Sequence, residues 1–145
     1  MEIKNPKANR DYEILETYEA GIVLEGPEVK SVRLGRVSLK EAYCKVINGE
    51  VFVINMHIAP YEHARQVPAP KRRRKLLLKK REIKRLIGKI QEKGLTLIPI
   101  SIYFNERGWA KLKIGVARGR RKHEKKEVLK QRDIEREVQR ELKRW

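Results

Sequence analysis

Asn48-Gly49 sits between two apolar runs, Ala42 to Ile47 and Val51 to Ile58. Asn-Gly flanked in this way is the strongest short-range hairpin signal, because both residues tolerate the positive φ of a two-residue turn. The dipeptide therefore commits the middle of the chain to antiparallel β-structure. On the second run Phe52, Ile54, Met56 and Ile58 share a parity and are expected on one face.

The rest of the chain agrees with a β-rich fold. Tyr12, Ile14, Tyr18, Ala20, Ile22 and Leu24 alternate with Glu13, Thr17, Glu19 and Gly21, which predicts a long half-buried strand with a break. Gly26-Pro27-Glu28 opens a short helix, with Gly35 past its end and Val29, Val32 and Val37 facing inward. Residues 64–75 form a basic loop with Pro68 and Pro70. Lys79 to Lys93 is an amphipathic helix with Ile83, Leu86, Ile87 and Ile90 on one side, closed by Gly94. Leu95 to Phe104 and Trp109 to Ala117 form a last hairpin around Asn105-Glu106-Arg107-Gly108. Pro99 donates no ladder hydrogen bond, so its strand is an edge or is bulged there. The prediction is a mainly β chain: a closed antiparallel barrel with one short early helix and one amphipathic helix. The oligonucleotide-binding (OB) type of Greek-key barrel fits best, since it places a helix between its third and fourth strands.

Charge decides which partners such a barrel attracts. The formal net charge is +17 on 145 residues. Such a field draws polyanions, nucleic acid first and an anionic membrane second. It is not spread evenly: residues 1–64 carry 8 basic and 10 acidic groups, whereas residues 65–85 carry 11 and 1, and residues 118–145 carry 12 and 6. Two separated blocks suggest two contact regions, although charge blocks are commonly just solvated. The 38% of charged residues matches a thermophile's composition. Cys44 stands alone, so no disulfide and no thiolate metal cluster is expected. No apolar run approaches a membrane span, and Met1-Glu2-Ile3-Lys4 does not open a secretory signal, so a cytoplasmic protein is expected.

From residue 132 onward the residue classes repeat every four positions. Arg132, Arg136, Arg140 and Arg144 form one row, Asp133, Glu137 and Glu141 a second, Ile134, Val138 and Leu142 a third. An apolar row one residue wide is too narrow to anchor a helix on a globular core. The expectation is a body over residues 1–119 and a basic tail over 120–145, disordered when free and helical on a partner. A merely solvated helical extension is the alternative.

A catalytic or cofactor site is not expected. Gly88-Lys89 is the only Gly-Lys pair, and Ile83 occupies the place of a phosphate loop's first Gly. Of His57, Glu62 and His63, His57 lies on the outward parity of its strand, and the other two have no third ligand at a useful spacing, which argues against metal. Glu19, outward beside Gly21, is the one strand acid placed to bond a base or ribose; from pattern alone an ordinary surface acid is the better reading.

Three blocks carry a resemblance. Residues 18–31, Tyr-Glu-Ala-Gly-Ile-Val-Leu-Glu-Gly-Pro-Glu-Val-Lys-Ser, resemble the signature of the small protein B (SmpB) family. Arg74-Lys75-Leu76-Leu77-Leu78 and residues 113–119, Lys-Ile-Gly-Val-Ala-Arg-Gly, match two further family blocks in order. The resemblance covers nearly the whole chain. It implies an OB-type barrel without enzymatic activity or cofactor. The implied partners are the tRNA-like domain of transfer-messenger RNA, elongation factor Tu through that RNA, and ribosomes stalled on truncated messages; no membrane is implied. The resemblance places Asn5, Glu19 and Lys111 at RNA-binding positions, with Lys113 on the same face as Lys111. Arg10 stands where some relatives carry His. Lys75 and Arg118 fall inside the second and third blocks and join the RNA-binding set. In the tail, His123-Glu124-Lys125-Lys126 corresponds to a His-Asp-Lys-Arg pattern, with Glu124 and Lys126 as departures that keep the charge. Ribosome contact is expected from Arg120, Arg121, Lys122, His123, Lys125 and Lys126, and from Ile134 and Val138 once helical. His123 would stack on a base or stand as a plain exposed His. Two rival readings stay open: a generic ribosomal or RNA-chaperone OB protein, and a basic protein docking on an anionic membrane.

Overall fold

A computed structural model describes residues 1–92, 94–120 and 136. Along it run β1 (Glu2–Lys4), α1 (Ala8–Asp11), β2 (Tyr12–Ile22), α2 (Gly26–Arg33), β3 (Val37–Ser38), β4 (Tyr43–Ile47), β5 (Glu50–Ile54) and β6 (His57–Ile58). Then come β7 (Arg74–Leu77), α3 (Lys80–Ile90), β8 (Leu95–Phe104) and β9 (Ala110–Gly119). The protein is mainly β, with one large antiparallel sheet and few helices. That seven-stranded sheet has the order β1-β8-β4-β5-β7-β2-β9, and β9 also pairs with β8. The pairings from β8 through β4, β5, β7, β2 and β9 thus return to their start, with β1 added outside on β8. A small two-stranded sheet joins β3 to β6.

The β4–β5 turn forms as its dipeptide demands. Ile47 faces Glu50, and Asn48 and Gly49 take φ of 50° and 76°. The face of the second strand is different from expectation. Val51 and Val53 are fully buried, whereas Phe52 and Ile54 are only half-buried. Asn55, at φ 61°, ends β5 and shifts the alternation, so that Met56 and Ile58 do point inward. One residue in the left-handed region reverses a period-2 count, and Met56 and Ile58 bias that count toward the wrong parity.

Two bulges shape the sheet around β9. On β2 the register jumps from Ile14–Ala117 to Glu16–Val116, leaving Leu15 unpaired. On β8 it jumps from Pro99–Ile114 to Ser101–Lys113, leaving Ile100 unpaired. Pro99 thus sits at a bulge in a strand paired on both sides. Gly115 lies between the two bulges, and a Cβ there would fall 2.9 Å from Ile100 Cδ1 and 3.2 Å from Ile14 Cγ2. Each bulge swaps faces. Tyr12 and Ile14 pack with Ala8, Ile98 and Ala117 in a small outer cluster at α1, while Tyr18, Ala20 and Ile22 join the main core. The break that the pattern of β2 predicts falls at this bulge, and the strand serves two cores.

Two helices pack residues into the main core. Leu86 of α3 is fully buried, with Ile83 and Ile90 packed beside it. The Arg85 guanidinium donates to Glu16 Oε1 at 2.8 Å and ties α3 to β2. In α2, Val32 is fully buried but Val29 is only half-buried, and Glu28 and Ser31 take the inward places instead. The helix ends in a Schellman arrangement, Gly35 N–H on Val32 O and Arg36 N–H on Ser31 O, both 2.9 Å.

Glu28 explains part of the basic loop. Its carboxylate, 2% exposed, accepts Arg74 Nε at 2.6 Å, Arg72 Nε at 3.1 Å and the Glu25 N–H at 2.9 Å. Arg74 is fully buried and also donates to Met56 O at 2.7 Å and Pro70 O at 3.0 Å. Burial pulls the Glu28 carboxyl up, but the bonds from Arg72, the Glu25 N–H and Arg74 outweigh it and hold the group below its ordinary range. Two cations of the most basic block are thus internal fastenings that fix β7 and the segment before it.

Candidate nucleic-acid interface

Four adjacent strands, β1, β8, β9 and β2, turn one parity outward. Leu112 and Ile114 point into the core, so Lys111 and Lys113 face away from it. The register then builds two rows. In one, Lys113 lies opposite both Glu19 and Ser101, and Ser101 lies opposite Lys4. In the other, Lys111 lies opposite both Gly21 and Tyr103, and Tyr103 lies opposite Glu2. Glu19, Lys111 and Lys113, each singled out in the sequence on separate grounds, lie on this one patch.

The acid on the patch is held. The Tyr103 hydroxyl donates to Glu19 Oε2. Burial and the Glu19 carboxylate push the Tyr103 hydroxyl up to about 12, so it stays a donor at neutral pH. Glu19 is exposed, and among the described residues its second oxygen accepts no further bond. Neither Lys111 nor Lys113 has an ion pair among the described residues. The arrangement offers two cations for phosphates and one oriented acceptor for a base or ribose hydroxyl.

An apolar groove of about 660 Å³ continues the patch, lined by Gly21, Val23, Leu77, Arg107, Trp109 and Lys111. Trp109 is 68% exposed and Leu77 53%. These two were missed by the reading of charges. The signal was parity: Trp109 falls in phase with Lys111 and Lys113, and Leu77 with Lys75. An exposed indole beside lysine suits stacking on an unpaired base.

The remaining sequence-selected residues are scattered. Lys75 is outward on β7, two residues from Leu77, and pairs with Glu50 at 3.6 Å. Asn5 is 9% exposed, and its side chain donates to Pro99 O at 2.8 Å and accepts the Lys7 N–H at 3.0 Å. Its backbone N–H takes Ile100 O at 2.8 Å, so Asn5 satisfies two carbonyls at the β8 bulge. Arg10 lies on α1, paired with Asp11 at 2.9 Å. Arg118 pairs with Glu13 at 4.0 Å, seven residues along β9 from Lys111, or about 23 Å in an extended strand. Arg120 is fastened to the body: its N–H takes Asp11 O at 2.7 Å, and its Nε takes Asn9 O at 2.9 Å and Tyr12 O at 3.1 Å. Arg121, Lys122, His123, Lys125, Lys126, Ile134 and Val138 lie outside the described residues. Among the described residues no cluster of three metal-ligating side chains exists, and no helix is long and apolar enough to cross a membrane.

Known proteins match along nearly all of this chain. SsrA-binding protein of Coprothermobacter proteolyticus is 54% identical over 142 residues, covering 97% of this chain and 95% of its own length. That of Thermus thermophilus is 49% identical over 138 residues, covering 94% and 96%. A solved structure described as "tmRNA-SmpB: a journey to the center of the bacterial ribosome" superposes with a TM-score of 0.70 at 50% identity, over 88% of this chain and 94% of its own. The family model described as SmpB protein matches residues 2–144, and with it the chain belongs to the SmpB family.

Proposed function

We propose that this protein binds the tRNA-like domain of transfer-messenger RNA and brings it, with elongation factor Tu on that RNA, to ribosomes stalled on truncated messages. The strand pairings that run from β8 back to β8 support an OB-type closed barrel in that reading, with residues 1–119 as the RNA-binding body and 120–145 as a tail that reads the vacant message channel. The protein acts in the cytoplasm as a binder, with no catalytic step and no cofactor. The observation that carries the reading is the outward patch of Lys111, Lys113 and the Tyr103-held Glu19 beside the Trp109–Leu77 groove. It combines phosphate-binding cations, an oriented polar acceptor and a stacking surface in one place. Family membership supplies the identity of the RNA.

The residues divide by role under this reading. Lys111, Lys113 and Lys75 supply salt-dependent attraction, Glu19 supplies choice, and Asn5 acts through the β8 bulge. Competition of transfer-messenger RNA against bulk transfer RNA at physiological salt tests the body. Near-equal binding of the two would favour the generic RNA-chaperone reading. Replacing Ile134 and Val138 by Asp tests the tail: RNA affinity should persist while peptide tagging on stalled ribosomes is lost. Tagging that survives would reduce residues 120–145 to a solubilising appendage.

A further inference from the structure

The four-residue helix α1 poses a problem at its end. Carbonyls in the last turn of a helix have no partner inside it. Here Asp11 O accepts the Arg120 backbone N–H at 2.7 Å, and the Arg120 Nε–H is shared between Asn9 O at 2.9 Å and Tyr12 O at 3.1 Å. One residue from the far end of the chain thus closes three carbonyls around the α1–β2 junction. Basic side chains near helix C-termini meet their last carbonyls in this way. The residue before it, Gly119, is paired with Tyr12 at the end of β9, and a Cβ there would meet nothing within 4 Å. Packing around Gly119 therefore does not restrain the exit, and the bonds of Arg120 do.

We infer that Arg120 is a positioning residue, which sets the direction in which the chain leaves the body through its bonds to the α1–β2 junction. This rests on the proposed division between an RNA-binding body and a ribosome-reading tail. Its Nε–H is turned onto protein carbonyls, and that shared bond fixes where the guanidinium sits. The role depends on where Nε sits. Lysine carries the same charge but puts its Cε at that place, with the ammonium one atom further out.

The test uses the full chain in three forms: wild type, R120A and R120K. Each is measured for transfer-messenger RNA affinity, for melting temperature and for peptide tagging at saturating RNA. Expected are RNA affinities within about twofold of wild type, melting temperatures close to it, and tagging lowered at least about tenfold in both variants, since misplacing a group by an ångström costs up to about a hundredfold. Full tagging by R120K with loss in R120A would overturn the inference and make Arg120 a charge contact. Full tagging by both would overturn it outright, as would a large drop in melting temperature that accounts for the loss. A wild-type chain that does not prefer transfer-messenger RNA would instead fail the proposed function, which the wild-type arm reads separately.

Discussion

Replacing Glu28 by Gln should cost more stability than any other single isosteric change in this protein. Glu28 is 2% exposed and is the only carboxylate within ion-pair distance of Arg72 and Arg74 among the described residues. Gln keeps one acceptor oxygen but turns an NH2 group toward a guanidinium N–H. The fully buried Arg74 cannot release its proton, so it would be left as an uncompensated charge. Breaking a buried pair in this way costs roughly 3–5 kcal/mol. For a chain of this size that is a fall of about 6–20 °C in melting temperature. Urea denaturation at pH 7 gives the free energy directly. The pH profile checks the cause. A carboxyl held below its ordinary range contributes stability above its unfolded pKa, about 4.3, and loses it as pH falls through the folded value. The gap between wild type and Glu28→Gln should therefore be constant from neutral pH to about 5 and shrink below about 4. The double change Glu28→Leu with Arg74→Met should recover part of the loss, since an apolar replacement removes the stranded charge. A loss under about 1 kcal/mol with an unchanged denaturant slope would refute the claim that this pair holds β7 in place.

Two further changes separate contact from support. Glu19→Ala should weaken transfer-messenger RNA binding although it removes a negative charge, because an oriented charged acceptor contributes about 1.5–3 kcal/mol; filter binding that is unchanged or tighter would return Glu19 to the ordinary surface. Asn5→Ala strips partners from the Pro99 carbonyl and the Lys7 N–H, and should lower stability by roughly 1–3 kcal/mol in a thermal or urea melt. An unchanged melt together with lost RNA affinity would make Asn5 a direct contact instead.

What the sequence made legible was whatever had a local cause. Asn48-Gly49 carries its own turn, α3 its own stripe, and Pro99 its missing donor, and each appears where the pattern places it. The parity of β9 likewise delivered Lys111 and Lys113 to one face. What stayed hidden depends on partners distant in the chain. Asn55 reverses the alternation of β5 through one backbone angle that many residues avoid but Asn accepts. Arg74 reads as one more cation in a basic run, and only Glu28, 46 residues earlier, makes it a buried one. The break in Tyr12–Ile22 shows as a lapse in alternation, but that it sends Tyr12 and Ile14 to a separate cluster depends on Ala8, Ile98 and Ala117. Arg120 reads as the first residue of a basic tail, and its commitment to α1 rests on contacts 108 and 111 residues away.

The closing of the ring between β2 and β9 has a consequence for how the chain acquires its structure during synthesis. Tyr12 pairs with Gly119, so the first long strand has its main partner only when the last one exists. The β4–β5 pair needs a loop of two residues and forms in microseconds, whereas β2 must wait for nearly the whole chain. During that wait β7 can take only Gly21 and Ile22, and the rest of β2 is an unpaired ribbon, the kind of segment that recruits other nascent chains. Glu13, Glu16 and Glu19 interrupt it at every third position. Spaced acids of this kind keep an exposed strand from stacking on its own copies. A β2 stripped of these glutamates should therefore aggregate during expression even when the finished fold tolerates the change. The acid that we assign to RNA choice would then also be a guard on the unfinished protein.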